Sequence, residues 1–427
     1  MPGLRTGTKH LCAPSDPGSS VRAAILGVGG LGRTVALELA SDRRVTELFL
    51  LDRKGERSKA LQTIGRDAAV TAVTGDVMDP SRLLKVLAKV DVAVNTTLPE
   101  YNLTIMRACL EAGCGYLDTS GWHASPGDTP PESQGDVLAQ LRQDDAWRDR
   151  GVTAIPTMGS EPGLTNVMAR LLADRLDAIH GIRIRVAATG DRRTEGYPLY
   201  SRETFLDDIL ATPVTWDGAR HVDQEPTSGE EIFQFPPPIE QRTVHLVRHS
   251  EVLSLPLRLG KPIGYLDYKG AFSVHLIRAL HALRALGFLD PAKTVRTGGG
   301  VTPFRDVLLS TFPEPSTLIG PIPGALAVVV EADGTKTDGT RTTLRAYVCL
   351  EHKEANLRRG ATAEPYLSAV AGASGCVLIG LKRVPRAGVL APEELPTDAV
   401  LQELEARGVT VNVTESPTET PMAAIPA

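Results

Sequence analysis

The chain has 427 residues and a formal net charge of −5, with 46 Lys and Arg against 51 Asp and Glu, so a global basic field for nucleic acid is absent. Hydrophobic residues at 42% and charged residues at 23% are ordinary for a globular protein of about two or three domains, and they exclude wholesale disorder. Aromatics at 4% argue against base-stacking platforms. Five cysteines, none in a CxxC pair, make neither a disulfide framework nor a structural zinc site. No apolar run approaches the roughly 18 residues of a membrane span. The expectation is a cytoplasmic protein with no metal, no nucleic-acid partner and no membrane contact.

Residues 1–20 read as a flexible tail. Order then begins sharply: an apolar run VRAAIL (21–26), the turn GVGGLG (27–32), and TVALELASD (34–42) with helical spacing. ELFLLD (47–52) is a second buried strand, followed by a helix around Ser58–Gly65, a strand at Ala69–Val73 and the turn GDVMDP (75–80). A helix around Ser81–Ala88, the strand VDVAVNTT (90–97), the helix NLTIMRACLEAG (102–113) and the strand GYLD (115–118) continue the alternation, and GVTAIPTMG (151–159) reads as one more strand. Such alternation predicts βαβ units and a parallel sheet.

ASPGDTPPESQG (124–135) reads as a loop. Beyond Gly159 the texture changes: IRIRVAAT (182–189) and TVHLVRHSEVLSL (243–255) alternate with period two, and residues 325–351 read as a hairpin. SVHLIRALHALRALG (273–287) and AEPYLSAVAGASG (363–375) read as helices, the latter with Thr362 at its N-cap and Pro365 in its first turn. The fold class is therefore α/β: a doubly wound parallel Rossmann sheet plus a second α+β domain with a mainly antiparallel sheet. The division is residues 21–160 for the dinucleotide domain, 161–354 for a substrate-binding and dimerisation domain, 355–400 for a return to the first, and 401–427 for a C-terminal tail.

Gly27-Val28-Gly29-Gly30-Leu31-Gly32 matches GxGxxG between a strand and a helix. Gly27 permits the tight turn, Gly29 lets backbone approach a pyrophosphate, and Gly32 lets the helix lie close to the sheet. The helix N-terminus around Gly30 and Leu31 then offers N–H groups to phosphates. Asp52 lies 20 residues past Gly32, at a strand end where an acid binds the ribose hydroxyls. Asp52 favours NAD, whereas Arg53 beside it suits the 2′-phosphate of NADP; NAD is the leading cofactor. Asp76 and Val77 follow the third strand and are assigned to the adenine end, while Asn95, Thr96 and Thr97 end the fourth strand beside the expected crevice.

DVMDPSRLLKVLAKVDVAVNTTLPEYN (76–102), ACLEAGCGYLDTSG (108–121), MGSEPGLTNVMA (158–169) and HSE (249–251) together resemble the saccharopine dehydrogenase family, in its branch with lysine 6-dehydrogenase and saccharopine reductase. The resemblance runs over roughly residues 21–390, densely to residue 170 and thinly after it. It implies NAD(P)-dependent chemistry at a carbon–nitrogen bond of an amino acid or amine, lysine-like by analogy, in a homodimer. Some relatives instead reduce bound NAD only transiently, so net-redox turnover, cofactor cycling and a catalytically silent dinucleotide sensor are the three readings.

Hydride transfer needs a group to manage the amine proton. Asp118, at a strand end, is a candidate to orient a substrate ammonium. His245, His249 and Glu251 have even offsets and are expected on one face of a strand, with His249 and Glu251 as proton carriers. Lys269, in YLDYKG (265–270), is a further candidate. Gly159, Glu161, Pro162 and Gly163 are expected to line the substrate site, and Arg202 to bind a carboxylate. Arg183 and Arg185, alternating in IRIRV, are expected to face solvent. Cys109 and Cys114 read as buried thiols.

Overall fold

The structure, a computed structural model, describes residues 20–64, 68–121, 136–190, 199–290, 292–298, 300–312, 320 and 322–417. The loop read at 124–135 and nearly all of the tail read at 1–20 lie outside these. Among the described residues no helix is long and apolar enough to cross a membrane.

The first layer is a parallel sheet built from β1 (Val21–Leu26), β2 (Val45–Asp52), β3 (Ala69–Thr74), β4 (Val92–Asn95), β5 (Gly115–Asp118) and β6 (Thr153–Ile155). Its order is β6-β5-β4-β1-β2-β3, and the short strand Gly388–Val389 pairs with β6 at the outer edge. β1 is buried from Ala23 to Leu26 because crossover helices cover both faces of a parallel sheet. The strand order reverses between β1 and β4, and at such a switch point the carboxyl ends of the strands open a crevice for ligands.

A nine-stranded second sheet runs Glu231–Gln234, Gln241–Leu246, Leu266–Ala271, Ala178–Ala188, Ala325–Thr335, Arg341–Glu351, Asn412–Pro417, with two short strands off this path. Only Leu266–Ala271 against Ala178–Ala188 is a parallel neighbour pair on that path, so the sheet is mainly antiparallel. The helix Ala363–Gly380 packs on β1, β4 and β5 and on the helix Gly30–Ala40. Its glycines allow that closeness: a Cβ on Gly375 would lie 2.5 Å from Leu117 and one on Gly380 would lie 2.6 Å from Val21. Thr362 holds the N-cap position, but its side chain makes no capping bond.

Several expectations are corrected. The strand read at 243–255 ends at Leu246, and the chain turns into a helix, Glu251–Arg258, that contains Pro256. Residues 401–417 are not tail: they finish the helix Thr397–Ala406 and form the edge strand Asn412–Pro417. Arg185 does not face solvent but is buried between Asp267, at 2.7 Å, and Glu231, at 3.1 Å.

Candidate active site

One cavity of about 1400 Å³ runs from the glycine turn to the face of the second sheet, larger than the several hundred Å³ of a small-ligand pocket. At the dinucleotide end, Gly27 has φ +89°, and a Cβ on Gly32 would lie 1.9 Å from the Gly27 carbonyl. A Cβ on Gly29 would meet nothing within 4 Å, so that position opens on the cavity. No side chain caps the helix Gly30–Ala40, which leaves its first-turn N–H groups to a ligand. Asp52 Oδ2 accepts from Val28 N and Oδ1 from Lys54 N, both at 2.7 Å, fixing the carboxylate on the cavity wall. Arg53 lies 3.9 Å from Asp76, and both line the cavity with Leu31 and Val77. Asp76 Oδ1 also accepts from Met78 N at 2.9 Å, so it shapes its own turn. These residues fit a dinucleotide.

Asn95 is placed differently from expectation. It is buried behind Thr96 and Thr97, its Oδ1 accepting from Thr97 N at 3.0 Å and Oγ1 at 2.6 Å, while the two threonines line the cavity. Asp118 is likewise buried. It accepts from Thr157 N and Gln140 Nε2 at 2.7 Å and from Tyr116 Oη at 2.8 Å, and it supports Thr119 and Ser120, which do reach the cavity. Burial pushes its carboxyl up to about 6, against the pull of those donors. It braces the wall rather than orienting an ammonium.

At the substrate end, His249 Nδ1 lies 2.5 Å from Glu251 Oε2, and its ring stacks on Tyr268 at 3.6 Å and 4°. Glu251 is buried and also accepts from Thr165 Oγ1 at 2.7 Å, so only His249 of the pair faces the cavity. They meet across a helix start rather than along a strand. Burial alone would lower the imidazole's pKa, but the charge and hydrogen bond of Glu251, with Asp208 and Glu161 beyond, hold it above the ordinary histidine value. His245 stays in the strand before the turn and is outside the cavity.

Lys269 points away. It alternates with Tyr268 in one strand, so when Tyr268 faces the cavity Lys269 faces the other side, where its Nζ lies 2.6 Å from Glu231. Glu161 and Pro162, joined by a cis peptide, line the cavity. Gly159 and Gly163 do not: they form the turn behind, where a Cβ on Gly163 would lie 2.4 Å from Gly159. Arg202 lines the cavity with Nη1 donating to the Leu309 and Phe312 carbonyls at 3.0 and 3.3 Å.

Sequence reasoning missed Asp208, Glu364, Tyr200, Tyr268 and Arg248, all on the cavity wall. Burial pushes Glu161 up to about 7 and Asp208 up to about 6. Glu364 is raised well above the carboxylate range by burial and then by Glu161 and Asp208. The period-two alternation in YLDYKG would have separated Tyr268 from Lys269; no local signal marks Asp208 or Glu364, which come from two distant helices.

Residues 23–155 match the family model described as the saccharopine dehydrogenase NADP binding domain. The chain is 27% identical over 397 residues to carboxyaminopropylagmatine dehydrogenase of Synechocystis sp., covering 91% of this chain and 96% of that protein. It is 25% identical over 408 residues to carboxynorspermidine synthase of Vibrio cholerae, with the same coverage, 91% and 96%. Among solved structures it resembles apo saccharopine dehydrogenase (L-Glu forming) from Saccharomyces cerevisiae, with TM-score 0.70 and 14% identity over 93% of this chain and 100% of that one, a likeness of fold. The Synechocystis and Vibrio relatives carry the names of carboxylated amines, which does not bear on the lysine-like substrate expected from the sequence.

Proposed function

We propose that this chain, whose residues 23–155 match the model of the saccharopine dehydrogenase NADP binding domain, is an NAD(P)-binding oxidoreductase that makes or breaks the C–N bond of a carboxylated polyamine-type secondary amine. The observation that carries the reading is His249, held by Glu251 and stacked on Tyr268, facing the same cavity as the glycine turn. The relatives' names support the amine class. A nicotinamide dinucleotide held along Gly27–Gly32, Asp52, Arg53, Thr96 and Thr97 would supply or accept the hydride.

The protein's own contribution is to place the amine and move its proton. With Nδ1 engaged by Glu251, His249 presents Nε2 to the cavity, where it donates a proton in the reducing direction and accepts one in the oxidising direction. Glu251 keeps the ring oriented and favours its charged form. Ser120 and Glu161 line the same wall, and Tyr268, stacked on the imidazole, with Tyr200 excludes water from it.

The test follows nicotinamide absorbance. NADH and NADPH are offered diamines with 2-oxoglutarate or an amino-acid semialdehyde, and NAD and NADP are offered the corresponding amines. Substrate-dependent change with either cofactor supports the reading and decides between Asp52-directed NAD and Arg53-directed NADP. A flat panel alongside dinucleotide binding would turn the assignment toward cofactor cycling or a sensor. We further propose a homodimer, supported by the sheet edge Glu231–Gln234, where Ile232 is 73% exposed. Light scattering should then give twice 45.6 kDa.

A further inference from the structure

Glu161 precedes the turn into the helix Leu164–Ala173, Asp208 lies in the helix Arg202–Leu210, and Glu364 lies in the first turn of the helix Ala363–Gly380. All three line the one cavity. Tyr200 Oη donates to Asp208 at 3.4 Å, and the ring of Tyr268 faces the same space. Ser250 and Thr362, on the same wall, are each 3% exposed, yet among the described residues neither hydroxyl has a hydrogen-bond partner. A buried hydroxyl without a partner is costly, and two of them beside three carboxyls leave acceptors waiting for a donor.

We propose that Glu161, Asp208 and Glu364, with the Ser250 and Thr362 hydroxyls, form a receptor for a second positive group of the substrate, other than the nitrogen at which hydride moves. This rests on the oxidoreductase reading above and adds to it the residues that choose a dication over a monocation.

The other charged and titratable groups facing the trio are His249, Arg248, Glu251, Asp207, Tyr200 and Tyr268. Carboxyls thus outnumber the two cations, His249 and Arg248. The excess is met by protons on Glu161, Asp208 and Glu364, whose acidities are all weakened by burial. An arriving ammonium or guanidinium replaces those protons: it favours the charged carboxylates, so binding releases protons. The sign follows. With Glu161 near 7 and Asp208 near 6, affinity for a dication strengthens as pH rises through that range and is lost as pH falls through it.

The test is calorimetric titration of the protein, saturated with oxidised dinucleotide, with 1,4-diaminobutane and with 1-aminobutane, in two buffers of different ionisation enthalpy at pH 6.5. The diamine is expected to bind at least about tenfold more tightly, as one extra charge-assisted contact allows, with proton release that the monoamine lacks. Glu364→Gln and Asp208→Asn should each bring the affinity ratio toward one. A ratio near one in the unmodified protein, or a ratio untouched in both variants, overturns the receptor. Its failure is separable from that of the oxidoreductase reading: selective diamine binding without redox turnover of any amine keeps the receptor and removes the enzyme, whereas turnover that accepts monoamines equally does the reverse.

Discussion

His249 stands where burial and charge oppose one another, and charge prevails because Glu251 is bonded to the ring at 2.5 Å. Its folded pKa is raised, so the proton-donating form is fully present below the ordinary histidine value and is lost as pH rises through the raised one. In the reducing direction kcat should therefore fall on the alkaline side. Glu251→Gln should move that limb to lower pH, whereas a residue that merely held the fold would lower activity without moving the profile. His249→Asn should lower kcat by about 10²–10⁴-fold with dinucleotide binding intact by thermal shift. An unmoved limb in Glu251→Gln would remove His249 from proton transfer. The pair was legible as His-x-Glu, but on the wrong scaffold. TVHLVRHSEV alternates like a strand, and Pro256 speaks against a helix interior. The burial of Val252, Leu253 and Leu255 outweighs it.

Among elements, the glycine turn and the strand Leu266–Ala271 differ in how openly they show themselves. The turn is visible because its demands are local. A methyl on Gly32 would lie 1.9 Å from the Gly27 carbonyl and 2.5 Å from Thr96 Oγ1, so Gly32→Ala should cost about 1–3 kcal/mol and weaken dinucleotide binding. Thermal shift with and without cofactor reads both, and an unchanged cofactor-induced shift would contradict the close-approach role. In the strand, what each side chain meets depends on segments far away: Lys269 finds Glu231 from 38 residues earlier in the chain. Lys269→Met should lower Tm by loosening the buried cluster around Arg185 and Asp267 while leaving kcat within a few-fold. Glu231 keeps Arg185 as a partner at 3.1 Å, so the loss should be smaller than when a buried pair is broken outright. A collapse of kcat at undiminished stability would return Lys269 to the catalytic machinery. Asp118, Asn95, Gly159 and Gly163 taught the same point: a polar or glycine position at a strand end was readable as near the crevice, but whether it faces the ligand or braces the wall depended on packing.

At the scale of the molecule, the sequence shows the chain's return at residues 355–400 but conceals its continuation beyond them. Residues 397–417 carry Pro, Thr and charge and were read from residue 401 as tail, yet they tie the end of the described chain to its beginning. Arg44 Nη1 lies 2.6 Å from Glu403, and Arg407 Nη2 lies 2.7 Å from Asp42 Oδ2, which also meets Arg44 Nη2 at 2.8 Å. The strand Asn412–Pro417 meanwhile pairs with Arg341–Glu351 in the second sheet, so one short segment joins both layers. Such contacts, hundreds of residues apart, have no periodicity to betray them. Burial alone would raise the Asp42 carboxyl, but Arg44 and Arg407 hold it at about 2, against 3.8 for the free group. A depressed carboxyl contributes stability that is fully present above its unfolded value and is lost as pH falls from about 4 toward 2. The contribution is roughly 2 kcal/mol. Asp42→Asn should thus be less stable than the unmodified protein in urea titrations at pH 7, with the gap falling to about half by pH 3 and closing toward pH 2. A gap that persists undiminished into acid would mean that the segment is held by packing of Val400 and Leu404 and not by this ion cluster.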